Sequence, residues 1–467
     1  METKLALLTA PLRRVIDYYN DPDYFSQIRK IALPITLQNF VFSALNMASV
    51  IMIGQKGDVA VAAVGLAGQI FFLLNLVLFG LGSGTGIFAA QLWGKRDIKN
   101  IRKVLALSLR LSFGAAMLFF IFSQFFSTSV LEIYSTDERV VAVGAEYLRI
   151  FSWSFFFFAI TFGYVFILRS TGNVRLPVAA SVISLLINAI LTYALVFGKY
   201  GLPAYSVNGA AIAIIIARGI ECAILLIGIY LQKDSVAAVT LSELLYFDWS
   251  FTWKIMRPVI PVAINEIFWS FGITTYNIIY ARMGTESIAA INIFSTIDNM
   301  AFIFFIGLGN ATAILVGNKI GSHELVQAQK YAGRSIGLAI SFGLVVGFFV
   351  LLLRGPILSI YNVSPKVAEN AYQIMTIAAF VIWMRASNMV IITGILRSGG
   401  DTMYSLVLDG LVIWLIGVPL AALGAFYFML PIQWVYFLIL SEEITKFFFG
   451  LRRYLSRKWI NNLTHVI

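Results

Sequence analysis

Apolar runs of about twenty residues recur along this chain from residue 31 to residue 450, each long enough to cross a hydrocarbon core as a helix. The pattern predicts twelve spans, at roughly 31–53, 59–83, 104–126, 141–166, 177–197, 208–231, 256–280, 286–316, 332–353, 369–394, 404–426 and 432–450. A longer polar stretch, 232–253, separates six spans from six. The expected fold is therefore an all-α polytopic membrane protein: a segment 1–30, a first lobe 31–231, a linker 232–253 and a second lobe 254–467 with a basic tail. Segment 1–30 mixes charge with apolar residues, so it reads either as a helix along the inner face or as a solvated lead-in.

The two halves repeat each other. A displacement of 227 positions, without a gap, carries Leu33–Gly57 onto Ile260–Gly284 and brings Pro34 onto Pro261, Ser43 onto Ser270, Ile51 onto Ile278 and Gly57 onto Gly284. The same register places Gly80, Leu81 and Gly82 on Gly307, Leu308 and Gly309, Thr85 on Thr312, and Gly94 on Gly321. Ile167 to Asn173 returns as Ile395 to Asp401, one position further on. Six spans per half is an even number, so both copies insert the same way. The expected relation is a pseudo-twofold axis along the membrane normal.

Composition agrees with this pattern. Charged residues make up 12% of the 467 residues, about half the usual share of a soluble domain. The single cysteine, Cys222, excludes an intramolecular disulfide, and both histidines, His323 and His465, lie in polar segments. The net charge of +11 is distributed as topology requires. Lys and Arg crowd 95–103 and 446–458, and also stand at Arg169, Arg175, Lys319, Lys330 and Arg334, on one side. The other side holds only Lys56, Arg139, Lys199, Arg282, Arg354 and Lys366. This bias places both termini in the cytoplasm of a cell whose inner (plasma) membrane holds the chain. The basic excess then serves topology and membrane lipid, and no nucleic acid is expected.

Candidate chemistry lies inside the spans. The first carries Asn39, Ser43, Asn46 and Ser49 on one helical face, and the fifth carries Ser181, Ser184, Asn188 and Thr192. Such stripes face protein or water; hydrogen bonding between helices and lining a cavity are both open readings. Arg218 and Glu221, one turn apart, read as a local ion pair. In the second half, the carboxylates Glu266, Asp298 and Asp409 are placed within spans, where charge is costly and marks function by default. Depths of ~15 Å for Glu266 and ~8 Å for Asp409, at 1.5 Å per residue, would let all three line one water-filled cavity in the second lobe. There they could hold a proton or, with carbonyls, a monovalent cation, so a Na⁺ ligand role for Glu266 is open. No GxxxxGK[ST] loop, Ser-His-Asp set or His cluster accompanies them. A transporter is the stronger class and an enzyme the weaker.

These features resemble the multidrug and toxic compound extrusion (MATE) family. The resemblance rests on the Pro34 helix, AAVGLAGQI at 62–70, AAQLWGK at 89–95 and GILRSGGDT ending at Thr402, and it covers 25–458. It implies a monomeric antiporter that exports cationic amphipathic compounds in exchange for inward Na⁺ or H⁺, with no other cofactor. It also implies that the acidic residue on the seventh helix is Glu266, with Asp409 and Asp298 as partners. Asn39, Asn188, Trp269, Tyr276 and Asn388 are then candidate cavity residues. The chain departs from the family at Ser49, at Thr192 and around Ala386 to Asn388, where relatives carry aspartates; this shifts the coupling toward Glu266. The alternative within the same superfamily is a lipid or lipid-linked oligosaccharide flippase.

Overall fold

A computed structural model describes residues 18–232 and 235–465 and folds them into helices joined by short turns. Most of the surface helix considered for 1–30 lies outside the described residues, as do Lys233 and Asp234 of the linker. The long helices are α1 (Pro22–Gly54), α2 (Asp58–Gly94), α3 (Ile98–Phe125), α4 (Glu138–Phe151), α5 (Ser154–Ser170), α6 (Arg175–Phe197), α7 (Ser206–Leu231), α8 (Trp249–Arg282), α9 (Thr285–Gly321), α10 (Leu325–Leu358), α11 (Pro365–Arg397), α12 (Thr402–Tyr427) and α13 (Ile432–Leu455). Among the described residues, nine helices are long and apolar enough to cross a membrane. The pair α4 and α5, bent by 50°, makes ten if it counts as one span. Twelve spans were expected. The other two expected positions are occupied by α8 and α13, which are long enough, at 34 and 24 residues, but more polar.

The internal repeat is visible in the backbone. α2 and α9 have the same length, 37 residues. Each is preceded by a glycine in the left-handed region: Gly57 at φ 96° and Gly284 at φ 115°. Each is followed by a left-handed residue two positions past its end, Arg96 at φ 62° and His323 at φ 63°. All of these pairs keep the displacement of 227. The turn after α5 and the turn after α11 also match, one position further on, through Gly172 at φ 85° and Gly400 at φ 77°.

Two compact units form. Among the described residues, the amino-terminal unit takes those from Pro34 to Phe268 and those after Asn462; the carboxy-terminal unit takes those from Trp269 to Asn462 and those up to Leu33. Both boundaries fall inside helices, α1 and α8, whereas the sequence pattern suggested a boundary in the 232–253 linker. Packing supplies the reason for α8. Its first half lies so close to α2 that a Cβ on Gly80 would sit 2.6 Å from the Ala263 Cα, and one on Gly84 2.9 Å from the Val259 side chain. The start of α1 and the residues just before it dock on α10 in the carboxy-terminal unit. There the Tyr24 hydroxyl pairs with Ser335 at 2.8 Å, and Arg334 donates to the Tyr18 carbonyl at 2.7 Å and to Asp21. The Tyr24 amide and the Arg334 guanidinium hold the Asp21 carboxyl below the usual carboxylate range.

The core of the amino-terminal unit gathers Leu74, Leu78, Phe155 and Ala211, with a file of rings from Phe71 through Phe158 and Phe162 to Phe166. In the carboxy-terminal unit, Ile293, Ile374, Met375, Ile413 and Val435 form the corresponding core. The run GLVVG at 343–347 brings α10 against α11, since a Cβ on Gly343 or Gly347 would run into the backbone at Trp383 or Ala379.

A Cβ at Gly57 or Gly284 meets nothing within 4 Å, so the left-handed backbone alone sets the cost of substitution there. Gly57→Ala and Gly284→Ala should each destabilise by about 1–2 kcal/mol. Gly65→Ala, inside α2 and equally unobstructed, should be neutral or stabilising. Thermal melting of the purified protein in detergent checks all three.

Candidate functional site

The carboxy-terminal unit holds a chain of charged side chains in otherwise apolar surroundings. It starts on α13, where SEEITK (441–446) interrupts YFLIL and FFFG. Successive residues on a helix point about 100° apart, so the adjacent glutamates face different neighbours. Glu442, 4% exposed, accepts a hydrogen bond from the Tyr276 hydroxyl of α8 at 2.7 Å. It also lies 3.6 Å from Lys446, one turn along its own helix. Lys446, 2% exposed, reaches Asp409 of α12 at 3.0 Å, and Asp409 in turn lies 4.0 Å from Arg397 of α11.

Glu443 turns instead toward α11. Its carboxylate accepts from the Asn388 side-chain amide at 2.7 Å, and its main-chain carbonyl accepts from the same amide at 2.8 Å. Arg385 lies 3.9 Å from the other carboxylate oxygen, and it donates to Asp298 of α9 at 2.5 Å. Local backbone helps to bring these groups together. Val390–Arg397 and Leu406–Leu411 are π-helical, so the turns bearing Arg397 and Asp409 are wider than α turns. Gly417 of α12 leaves room for the Tyr276–Glu442 pair, because a Cβ there would touch both partners.

Of the residues expected from sequence, Asp298, Asp409, Tyr276 and Asn388 are thus joined in one network within one unit. Tyr276, expected to line a cavity, is 4% exposed with its hydroxyl committed to Glu442. Trp269 is 38% exposed at the start of the same unit. Glu266, half-buried, belongs to the amino-terminal unit, as do Asn39 and Asn188. The division between the two units, at Phe268 and Trp269, thus falls between Glu266 and the pair Asp298 and Asp409. Glu442, Glu443 and Lys446 were legible as charges inside the 432–450 span. Their signal merges with the basic tail that begins at Lys446, and Lys446 itself is buried in the network rather than solvated.

The amino-terminal unit carries a smaller set of the opposite sign. Arg218 and Glu221 form the expected local pair at 2.7 Å, Ser181 donates to Glu221 at 2.8 Å, and Arg218 lies over the Phe158 ring. Arg169 of α5 donates to Gln38 at 2.6 Å and feels the Glu221 charge.

The MatE family pattern matches this chain twice, over 34–194 and 261–423, and the two matches begin 227 positions apart. The chain belongs to the MATE family. It is similar along nearly its whole length to curated proteins with multidrug resistance names. "Probable multidrug resistance protein NorM" of Thermotoga maritima is 24% identical over 441 residues, covering 94% of each chain. "Probable multidrug resistance protein YoeA" of Bacillus subtilis is 25% identical over 419 residues, covering 89% of this chain and 90% of its own. Among solved structures, MATE in the bent conformation superposes with a TM-score of 0.85 at 20% identity, over 93% of this chain and 96% of the other. An outward-facing multidrug resistance MATE transporter gives 0.82 at 20% identity, over 92% and 96%. As a MATE family member with helices long enough to span, the protein is an integral membrane protein.

Lys446 stands between the buried Glu442 and the partly exposed Asp409, so removing it leaves both without their nearest cation. Lys446→Met should cost about 3–5 kcal/mol, and adding Glu442→Gln should recover much of that loss. Denaturation of the purified variants checks this; a double variant as unstable as the sum of its parts contradicts the coupling.

Proposed function

We propose that this MATE family protein exports cationic, amphipathic compounds by alternating access, in exchange for an inward-moving monovalent cation. The buried charge of the carboxy-terminal unit is the observation that carries the reading. There, among the described residues, the carboxylates Asp298, Asp409, Glu442 and Glu443 are linked by ion pairs to the cations Arg385, Arg397 and Lys446, a cluster of four carboxylates and three cations. A membrane protein that keeps surplus negative charge in an apolar interior has a use for a positive partner that comes and goes. The multidrug resistance names of its relatives support drugs as the cargo. Glu266, which replaces Asn39 of the first repeat, is the coupling carboxylate proposed for the amino-terminal unit, with Asp298 and Asp409 acting in the other. No phosphate-binding loop supplies ATP, so an ion gradient is the energy source. The protein acts as a transporter rather than an enzyme, as a monomer, with both termini in the cytoplasm of the plasma membrane.

The flippase alternative has one observation on its side: in the amino-terminal cluster, Arg169 and Arg218 face Glu221. A lipid phosphate would need such a surplus of positive charge. Arg218 is held by Glu221 at 2.7 Å and Arg169 by Gln38, so the drug-export reading is preferred.

Glu266→Gln removes the charge while nearly preserving shape. Folding should survive, because the neutral isostere is cheaper to bury. Ion-driven export of ethidium from proteoliposomes should fall to background. Wild-type export by a well-folded Glu266→Gln protein would place the coupling elsewhere. Movement of a fluorescent phospholipid instead of ethidium by the unmodified protein would favour the flippase.

A further inference from the structure

The apolar pattern predicts a polar linker at 232–253, yet the described part of it has two apolar faces. One is buried in the amino-terminal unit, where Ala237, Val239, Leu244 and Phe251 join the core packed around Leu105 and Ile255. Hydrogen bonds clamp it there: Tyr230 donates to the Val239 carbonyl at 2.5 Å, and Arg102 of α3 to the Ser235 carbonyl at 3.2 Å. The other face carries Leu241, Leu245, Tyr246 and Phe247 and, at the start of α8, Trp249 and Trp253, all exposed. So many large apolar groups on one clamped segment mark an interaction surface.

Its neighbours show what covers that face in an integral membrane protein. Residues 104–109 of α3 are buried, and beyond Arg110 the exposed side chains of α3, from Phe113 to Phe125, are all apolar. Before Arg110 lies the basic run 95–103. Arg110 therefore stands where the lipid-facing belt of α3 gives way to polar surface. It donates to the Tyr246 carbonyl, and its guanidinium lies 5.5 Å from the centre of the Phe247 ring. That contact puts the aromatic face of the linker at the depth of the headgroups, where Trp and Tyr collect in membrane proteins.

Charge identifies the lipid. Lys103 and Arg110, seven residues apart, share one face of α3, and Lys103 lies over the Phe251 ring at 5.6 Å. Lys254 and Arg257, exposed and one turn apart, follow on α8. None of the four forms an ion pair among the described residues, and the Arg110 Nε is buried without a hydrogen-bond partner. The nearby carboxylates are committed elsewhere. Glu243 accepts from the Thr240 amide at 2.8 Å and lies 4.0 Å from Arg102, and Asp248 accepts from the Phe251 amide at 3.1 Å. Four cations without counter-ions beside an apolar surface fit a lipid with a negative headgroup.

We propose that the 240–257 segment lies in the headgroup layer of the leaflet on the basic side and, with Lys103 and Arg110, holds the phosphate of an anionic phospholipid such as phosphatidylglycerol. The aromatic face enters between the lipids, and the cations of α3 and α8 draw the phosphate to it. This site does not depend on the export reading.

Quenching of a label on the linker tests it without any transport measurement. The label is a bimane on Leu245→Cys in a Cys222→Ser background, in the full-length protein in lipid nanodiscs. A nitroxide at a shallow acyl position of the phospholipid should quench it strongly, and acrylamide in the water only weakly. At equal mole fraction, nitroxide phosphatidylglycerol should quench severalfold more than nitroxide phosphatidylcholine, and inorganic phosphate should leave that ratio unchanged. Arg110→Gln with Lys254→Gln should bring the ratio near unity. Access of acrylamide without lipid quenching would leave the segment in water, and shielding from both quenchers would put a protein there; either overturns the proposal. Equal quenching by the two lipids, or loss of the ratio in inorganic phosphate, also overturns it. Because Arg110→Gln removes a bond to the linker as well as a charge, Lys254→Gln with Arg257→Gln, on the exposed face, is the second variant. An unchanged ratio in that folded variant contradicts the site.

Discussion

A charge inside hydrocarbon or a dry helix bundle must find an opposite charge or several dipoles within a few ångströms, and this need governs the carboxy-terminal unit. Glu442 and Lys446 could not both be buried on α13 without Tyr276 from α8 and Asp409 from α12 beside them. Glu443 likewise needs the Asn388 amide of α11. Each partner comes from a different helix, so the network ties α8, α9, α11, α12 and α13 to one arrangement. The glycine at Gly417 and the wide turns of α11 and α12 are the backbone's accommodation to it. Compensation is close but incomplete, and the remainder is negative.

Duplication explains why the two units share a backbone and differ in chemistry. The left-handed glycines Gly57 and Gly284, the 37-residue helices that follow them and the left-handed residues Arg96 and His323 are conformational requirements. Both copies have kept them. Buried polar positions were free to diverge, since any set that satisfies itself is tolerated. Asn39 answers to Glu266, and the amino-terminal cluster of Arg169, Arg218 and Glu221 is positive where the carboxy-terminal network is negative.

Much of the fold could be read from the pattern of apolar runs, because a membrane demands about twenty apolar residues per crossing and the repeat doubles the signal. Asp298 and Asp409 stood out for the same reason, as charges in apolar company, whereas Tyr276 and Asn388 came only through the family resemblance. The partners of the two carboxylates did not stand out. Arg397 looks like a loop residue after α11, and Lys446 looks like the start of a basic tail; burial of either depends on helices far away in sequence. The division of the chain was hidden too. It falls within α1 and α8, where one continuous apolar run passes from one compact unit to the other, and only the close approach of α2 to Val259 and Ala263 reveals it.

Drug efflux from proteoliposomes containing the wild-type protein alone, driven first by a Na⁺ gradient at equal pH and then by a pH gradient without Na⁺, bears most directly on cation-coupled export. The charge arrangement described here predicts efflux of a cationic dye under one of the two gradients. Efflux under neither gradient, or efflux that persists after both are collapsed, would contradict it.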